Sequence, residues 1–340
     1  MLTCKCVLIT GGTGSFGQTM LNRLLEIGCP EIRILSRDEE KQDAIRNRLR
    51  DPRVKYFIGD VRDRNSVDMA MAGADLVFHA AALKQVPSCE FFPMEAVRTN
   101  IHGSQNTVES AVAHGIERVV CLSTDKAVGP VNAMGMTKAL MEKVVQSTAR
   151  RIPEGGTIVS CVRYGNVMCS RRSVIPLFIN QILSGSPLTI TEPSMTRFMI
   201  PLRDAVSLVE LAMTHAKQGD TFIQKAPACT IQDLATATAN VFGASPNIKV
   251  IGIRHGEKLF ETLASAEELL HSEDMGDYYR IPFDTRDLNY AKYFSEGESQ
   301  VASTEPFHSH NARQLSIGEV EELLRSIEYV QDRLNELSSR

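Results

Sequence analysis

No stretch of this 340-residue sequence approaches the roughly 20 consecutive apolar residues that cross a bilayer. No basic run reads as a membrane patch either. With 37 basic against 41 acidic residues and a net charge of −4, no positive field exists to hold nucleic acid. Membrane insertion and nucleic-acid partners are therefore not expected. The eight cysteines, Cys4, Cys6, Cys29, Cys89, Cys121, Cys161, Cys169 and Cys229, make no CxxC pair. The His- and Asp-rich stretch 270–312 repeats no ligand spacing, so no metal site is expected. The opening Met1-Leu2-Thr3-Cys4-Lys5-Cys6 runs into an apolar strand without a cleavable leader pattern. A cytoplasmic location and reduced thiols are the resulting expectations. Internal repeats and low-complexity segments are also missing.

What is present is ordinary globular composition, 43% hydrophobic and 23% charged. The length suits about two domains. In the N-terminal half, short apolar runs alternate with helical patterns: Cys6 to Thr10, Ile32 to Ser36, Val54 to Gly59, Leu76 to Ala82, Arg118 to Ser123 and Thr157 to Arg163. The intervening helices fall near Gln18 to Ile27, to Arg50, Asn65 to Met71, Pro93 to His114 and Met136 to Arg150. This is the pattern of βαβ units and predicts an α/β fold with a doubly wound parallel sheet. The alternation weakens after about residue 167, where a smaller, mixed substrate-binding region is expected. Thr221 to Lys225 is apolar enough to rejoin the sheet. The predicted division is 1–167 with 200–228 for the nucleotide, 168–199 and 229–315 for the substrate, and 316–340 as a C-terminal helix. Apolar Ile317, Val320, Leu324, Ile327 and Leu334 give that tail helical spacing.

Thr10-Gly11-Gly12-Thr13-Gly14-Ser15-Phe16-Gly17 joins the first strand to the first helix. Gly11 suits a tight turn, Gly14 lets a pyrophosphate approach the backbone, and Gly17 lets the helix pack close to the sheet. The helix N-terminus adds N–H groups and partial positive charge. The strand–turn–helix setting makes this a dinucleotide site, with Thr13, Ser15 and Phe16 among its contacts. The second strand ends in Ser36-Arg37-Asp38-Glu39-Glu40-Lys41. A hydroxyl at Ser36, a guanidinium at Arg37 and an ammonium at Lys41 suit a 2′-phosphate, which points to NADP. Asp38 reads as the cap of the next helix. Asp60 and Val61 are placed by the adenine. Ala80, Ala81 and Ala82 are small, as a cofactor lying across the sheet edge requires, and Lys84 is placed within reach of its phosphates or of the substrate.

The Gly11-to-Gly17 turn, His79-Ala80-Ala81, Asn100, the strand end Leu122-Ser123-Thr124-Asp125-Lys126 and a Lys138 opening a helix together resemble the extended short-chain dehydrogenase/reductase superfamily. The markers Ser36-Arg37-Asp38-Glu39, Ala82-Leu83-Lys84-Gln85-Val86-Pro87, Ser123-Thr124-Asp125-Lys126-Ala127, Arg163-Tyr164-Gly165-Asn166-Val167, Met195-Thr196-Arg197-Phe198 and Arg254-His255-Gly256-Glu257-Lys258-Leu259 make the chain most similar to inverting UDP-N-acetylglucosamine 4,6-dehydratases, which also epimerise C5, in their capsule and O-antigen branch. The resemblance covers nearly the whole chain and implies a Rossmann fold and Asn100 at the cofactor. It also implies a homo-oligomer, dimeric or larger, formed through helices at about 95–114 and 136–150.

The superfamily's usual pair is Tyr-x-x-x-Lys, but four residues before Lys138 stands Met134, whose thioether has no proton to give or take. The resemblance suggests Lys126 as the C5 base and as a candidate for the C4 hydroxyl proton as well, Asp125 as the acid for the leaving 6-hydroxyl, Thr124 to the C4 oxygen and Lys138 to the nicotinamide ribose. Burial, Lys138 and an oxidised nicotinamide should lower the Lys126 pKa, and Asp125 should raise it. For the diphosphate and uridine it assigns Asn166, Ser173, Val174, Arg197, Arg254 and Glu257. Gly129 and Arg172 depart from the family pattern. Two other readings are a UDP-hexose 4-epimerase, which needs neither a C5 base nor a leaving-group acid, and a nucleotide-sensing protein without catalysis.

Overall fold

The computed structural model describes residues 6–170, 173–284 and 305–338. The first half runs β1 (Cys6–Thr10), α1 (Ser15–Glu26), β2 (Glu31–Ser36), α2 (Glu39–Leu49), β3 (Val54–Ile58), α3 (Arg64–Met71) and β4 (Leu76–His79). Next come α4 (Val86–Phe91), α5 (Pro93–Ala96), a π-helical turn (Val97–His102), α6 (Gly103–Ala113), β5 (Arg118–Leu122), α7 (Ala133–Ala149) and β6 (Ile158–Arg163). The second half contains α8 (Val174–Leu183), β7 (Leu188–Ile190), β8 (Thr196–Phe198), α9 (Leu202–His215), β9 (Thr221–Gln224), β10 (Ala228–Thr230), α10 (Ile231–Val241) and β11 (Ile248–Val250). It continues with β12 (Thr262–Ala264), α11 (Ala266–Leu270), β13 (Glu273–Asp274), β14 (Tyr278–Ile281), β15 (Phe307–His308) and two terminal helices, Ile317–Arg325 and Glu328–Ser338.

The main sheet has the order β3-β2-β1-β4-β5-β6-β9-β14-β13. From β3 to β9 every pairing is parallel. All five residues of β1 are buried because helices cover both sheet faces. Met20, Leu21 and Leu24 of α1 pack with Val206, Val209 and Met213 of α9 on one face. Val67 and Met71 of α3, Val108 of α6 and Met141 of α7 lie on the other. The chain reverses direction in the sheet at β1 and β4, and a crevice opens there beyond the strand ends, the usual ligand position in such folds.

Four features differ from the sequence expectation. Thr221–Gln224 does join the sheet beside β6, but an antiparallel β14–β13 hairpin then extends it, within the 270–312 stretch for which the sequence pattern predicts no strand. Residues 285–304 of that stretch lie outside the described residues, as do Arg171 and Arg172. The helix foreseen over Pro93 to His114 is interrupted by the π-helical turn, a break commonly found at functional sites. The single tail helix is two, separated at Ser326–Ile327. This lets Val320, Leu324 and Val330 all reach the core under α8 and α10. Finally, the short helix α4 was not foreseen. Among the described residues no cysteine is paired, and no helix is long and apolar enough to cross a membrane.

The second half is joined to the sheet by buried charge. Arg163 at the end of β6 donates to both carboxylate oxygens of Glu142 on α7 (2.8 and 2.7 Å) and to both of Glu268 on α11 (2.7 Å each). It also donates to the Leu263 carbonyl of β12 (3.1 Å). Replacing Arg163 with Met should cost about 3–5 kcal/mol in urea unfolding, because two carboxylates lose their shared cation. A loss below about 1 kcal/mol would show that the network contributes little.

Candidate active site

A cavity of about 520 Å³ lies at the β1/β4 crevice. Gly11, Thr13, Gly14, Ser15, Phe16 and Gly17 line one end. Gly11 has a φ of +69°, and a Cβ there would sit 2.8 Å from the Ala81 backbone. Gly14 caps α1 without a side chain, and the first turn of α1 carries no acid, so its N–H groups suit an anion. The Thr13 and Ser36 hydroxyls meet at 2.8 Å. Ser36, Arg37, Asp60 and Val61 line the next portion, with Arg37 3.5 Å from Asp60. Asp38 caps α2 by accepting from the Lys41 N–H. The Lys41 ammonium turns to that same Asp38 carboxylate and is not part of the cavity wall, contrary to expectation.

Ala80, Ala81, Ala82 and Lys84 form the wall above β4. Asn100 was expected at the cofactor but is fully buried behind this wall. Its amide donates to the Leu83 carbonyl (3.0 Å) and accepts from the Leu83 N–H (2.8 Å), clamping the segment between Ala82 and Lys84. It also donates to Thr137 of α7 (3.0 Å). The Asn100 carbonyl accepts from Ser104, whose hydroxyl meets His79 at 2.8 Å. The other ring nitrogen of His79 meets the Thr10 hydroxyl at 2.8 Å. Burial, helped by the Lys138 charge, pulls the His79 pKa down to about 3, so this histidine is a neutral strut.

β5 stops at Leu122, and Asp125–Ala127 form a 3₁₀ turn capped by Thr124. The turn removes the alternation of a regular strand, which would point Asp125 and Lys126 to opposite faces. Thr124 and Lys126 line the cavity, while Asp125 lies behind it, fully buried. One Asp125 oxygen accepts from the Thr124 hydroxyl (2.8 Å) and from Lys126 Nζ (3.0 Å). A second carboxylate, Glu261, stands 3.2 Å from Lys126 Nζ. Burial alone would lower the Lys126 pKa, but Asp125 and Glu261 outweigh it and hold the ammonium above its ordinary range. The net direction is thus upward.

Met134 and Lys138 line the cavity from the start of α7, which sits tight against the turn. A Cβ on Gly135 would come 2.3 Å from the Lys126 carbonyl. Lys138 Nζ donates to the Leu122 carbonyl at 2.6 Å, and burial lowers its pKa. Tyr164 also lines the cavity, stacked on Phe16 with ring centroids 6.3 Å apart. Burial and the Asp125 charge push its phenol up, so it stays protonated and is no substitute base for Met134.

On the substrate side, Asn166 and Ser173 reach the cavity. Asn166 Oδ1 and Ser173 Oγ are buried without a protein partner, as is Ser123 Oγ, which suits a polar ligand. Val174 begins α8 but is outside the wall. Arg197 is buried and donates to the carbonyls of Thr196 (2.7 Å) and Lys258 (3.0 Å) instead of facing the cavity. Arg254 and Glu257 pair with each other at 3.9 Å on a loop away from the wall. Gly129 takes a left-handed φ of +52°. No group of His, Cys, Asp or Glu among the described residues could hold a metal ion.

Residues 7–282 match the family described as "Polysaccharide biosynthesis protein", and residues 284–331 match its C-terminal region. The chain belongs to the polysaccharide biosynthesis protein family. Within reach of this family it is 56% identical to a protein named UDP-glucose 4-epimerase from Rickettsia canadensis (strain McKiel), over 98% of this chain and 99% of that one. The X-ray structure of Pen from Bacillus thuringiensis is 37% identical with a TM-score of 0.85, covering 95% of this chain and 98% of that one. DesIV, a dTDP-glucose 4,6-dehydratase from Streptomyces venezuelae solved with NAD and TYD, shares the fold at 22% identity. Its TM-score is 0.68, over 75% of this chain and 86% of its own. The fold is that of the extended short-chain dehydrogenases/reductases.

Sequence reasoning missed Glu261, because nothing local marks it: it is a single acid far along the chain that only tertiary packing brings to Lys126. Replacing Asn100 with Ala should cost about 1–3 kcal/mol in urea unfolding, since both Leu83 backbone groups lose their partner. An unchanged midpoint would show that water or a neighbour replaces the clamp.

Proposed function

We propose that the chain is an NADP-dependent 4,6-dehydratase of UDP-N-acetylglucosamine. It inverts C5 and releases a UDP-2-acetamido-2,6-dideoxy-4-hexulose for surface polysaccharide synthesis. The observation that carries this reading is Lys126 in the cavity wall, bracketed by two carboxylates, with a methionine in the place of a phenol. A 4-epimerase needs one base at C4, whereas a dehydratase also needs a C5 base and an acid for the leaving group.

The glycine-rich turn and the N-terminus of α1 would hold the pyrophosphate, and Ser36 with Arg37 the 2′-phosphate of NADP. When bound, the nicotinamide would supply the hydride acceptor for C4 and the hydride donor for C6. Thr124 hydrogen-bonds the C4 oxygen. Lys138, held by the Leu122 carbonyl, orients the ribose. The proton released from O4 as the hydride leaves C4 passes through Thr124, which donates to Asp125, to the Asp125–Lys126 pair. Once C4 is a ketone the C5 proton is acidic, and the neutral fraction of Lys126, small because the two carboxylates hold its pKa up, takes it. The proton received from O4 leaves from Asp125 with the 6-hydroxyl as water, and the Lys126 ammonium returns a proton to C5 on the opposite face as C6 receives the hydride. Asn166, Ser173 and the start of α8 receive the substrate diphosphate. Exposed Met136 and Leu140 of α7, with Phe91, Phe92 and Met94 of α4–α5, support a homo-oligomer.

A second reading, UDP-glucose 4-epimerase, is favoured by the name of the Rickettsia canadensis relative. Incubation with UDP-N-acetylglucosamine in heavy water separates the two. Loss of one water with solvent deuterium at C5 is expected, while an intact sugar with inverted C4 and no deuterium selects the epimerase. Lys126→Ala should abolish turnover and still bind NADP more tightly than NAD. Near-normal turnover removes Lys126 from the chemistry, and equal affinities remove the NADP assignment. Light scattering should give at least twice the chain mass of 37.6 kDa, and a monomer contradicts the assembly.

A further inference from the structure

Glu261 is a carboxylate only 3% exposed, on the segment leading into β12. Its backbone is clasped from both sides by Ser309: the Glu261 N–H donates to the Ser309 hydroxyl (3.1 Å), and the Ser309 N–H donates to the Glu261 carbonyl (2.8 Å). The Ser309 hydroxyl meets that of Thr196 at 2.7 Å, so β8 and the loop after β15 fix this position. The carboxylate so placed has one oxygen 3.2 Å from Lys126 Nζ and 3.9 Å from the Arg197 Nε. Its other oxygen is buried without a partner. Burying a carboxylate incompletely satisfied is costly, and an apolar side chain of similar size would serve packing better. The charge itself is therefore what the position uses.

We propose that Glu261 is a positioning residue for Lys126: with Asp125 it brackets the ammonium, aims it at the cavity and sets how tightly it keeps its proton. The proposal rests on the reading of Lys126 as the proton-transfer group. The ammonium has three donors. Asp125 and Glu261 approach from the protein side, which leaves the remaining direction toward the cavity that Lys126 lines. The charged and titratable groups around it are Asp125 on the same turn, Glu261 and Lys258 before β12, and Arg197 on β8. Tyr164 beyond β6 and Lys138 on α7 share the cavity. Without Glu261, Asp125 alone faces the two positive charges of Arg197 and Lys258, and Lys126 would lose its proton more easily.

The test uses the full-length chain labelled with ¹³Cε-lysine, with the Lys126 signal identified through Lys126→Arg. Titrated by NMR, Glu261→Gln should lower the Lys126 midpoint by about 1 pH unit or more, as expected for loss of one adjacent opposite charge. Glu261→Met, of similar length and without polar atoms, is a second neutral variant in case the amide does not fold, and should shift the midpoint the same way. A midpoint unchanged in a folded variant overturns the proposal, whatever the substrate. In turnover, the acid limb of kcat/KM should move to lower pH by the same amount, because neutral lysine becomes available sooner. If the NMR midpoint moves and the limb does not, the Glu261–Lys126 coupling stands and the proton-transfer reading of Lys126 falls.

Discussion

The Arg163 guanidinium ties together parts of the chain that lie 21, 100 and 105 residues away from it. It sits where β6 ends, and its donors reach α7, β12 and α11 at once. Two of them lead to the site: α7 carries Met134 and Lys138, and the segment into β12 carries Glu261. A buried ion network of this kind adds little net stability compared with a well-packed apolar substitute. Its effect here is positional. The fork of the guanidinium fixes directions as well as distances, so the second half of the chain docks with Glu261 at the Lys126 ammonium.

The electrostatics of the site follow from that docking. Lys126, Arg197 and Lys258 bring three positive charges together, and Asp125 and Glu261 bring two negative ones, so each member feels a strong local field. Thr124 and Lys126 come from the capped 3₁₀ turn after β5, and α7, pressed against that turn at Gly135, adds Met134 and Lys138 to the cavity wall.

The nucleotide half was legible in the sequence because its signals are local. Apolar runs, the Gly11-to-Gly17 turn, the Asp38 cap and the Ser36-Arg37 strand end each state their geometry within a few residues. Thr124, Lys126, Met134 and Lys138 were picked out by the family resemblance of the strand end and the helix start that carry them, and all four reach the cavity. The misplacements have a common physical origin. Lys41, Asn100, Arg197 and the Arg254–Glu257 pair are polar residues at suitable chain positions, but each meets a protein partner that turns it away from the cavity. Asp38 captures Lys41, Leu83 captures Asn100, and the carbonyls of Thr196 and Lys258 capture Arg197. Glu261 is the reverse case, an unremarked acid that folding carries into the site. Periodicity also could not show the β13–β14 hairpin, since strands of two and four residues are too short for an alternating repeat to be read.

That hairpin has a consequence for the molecule in a crowded solution. An open parallel sheet ending at β9 would present a row of unpaired backbone groups to any passing extended chain. β14 covers that row, and the strand left outermost, β13, is two residues long, both acidic and both exposed. So short and so charged a border offers little for another strand to zip onto, and this side of the sheet is guarded against aggregation.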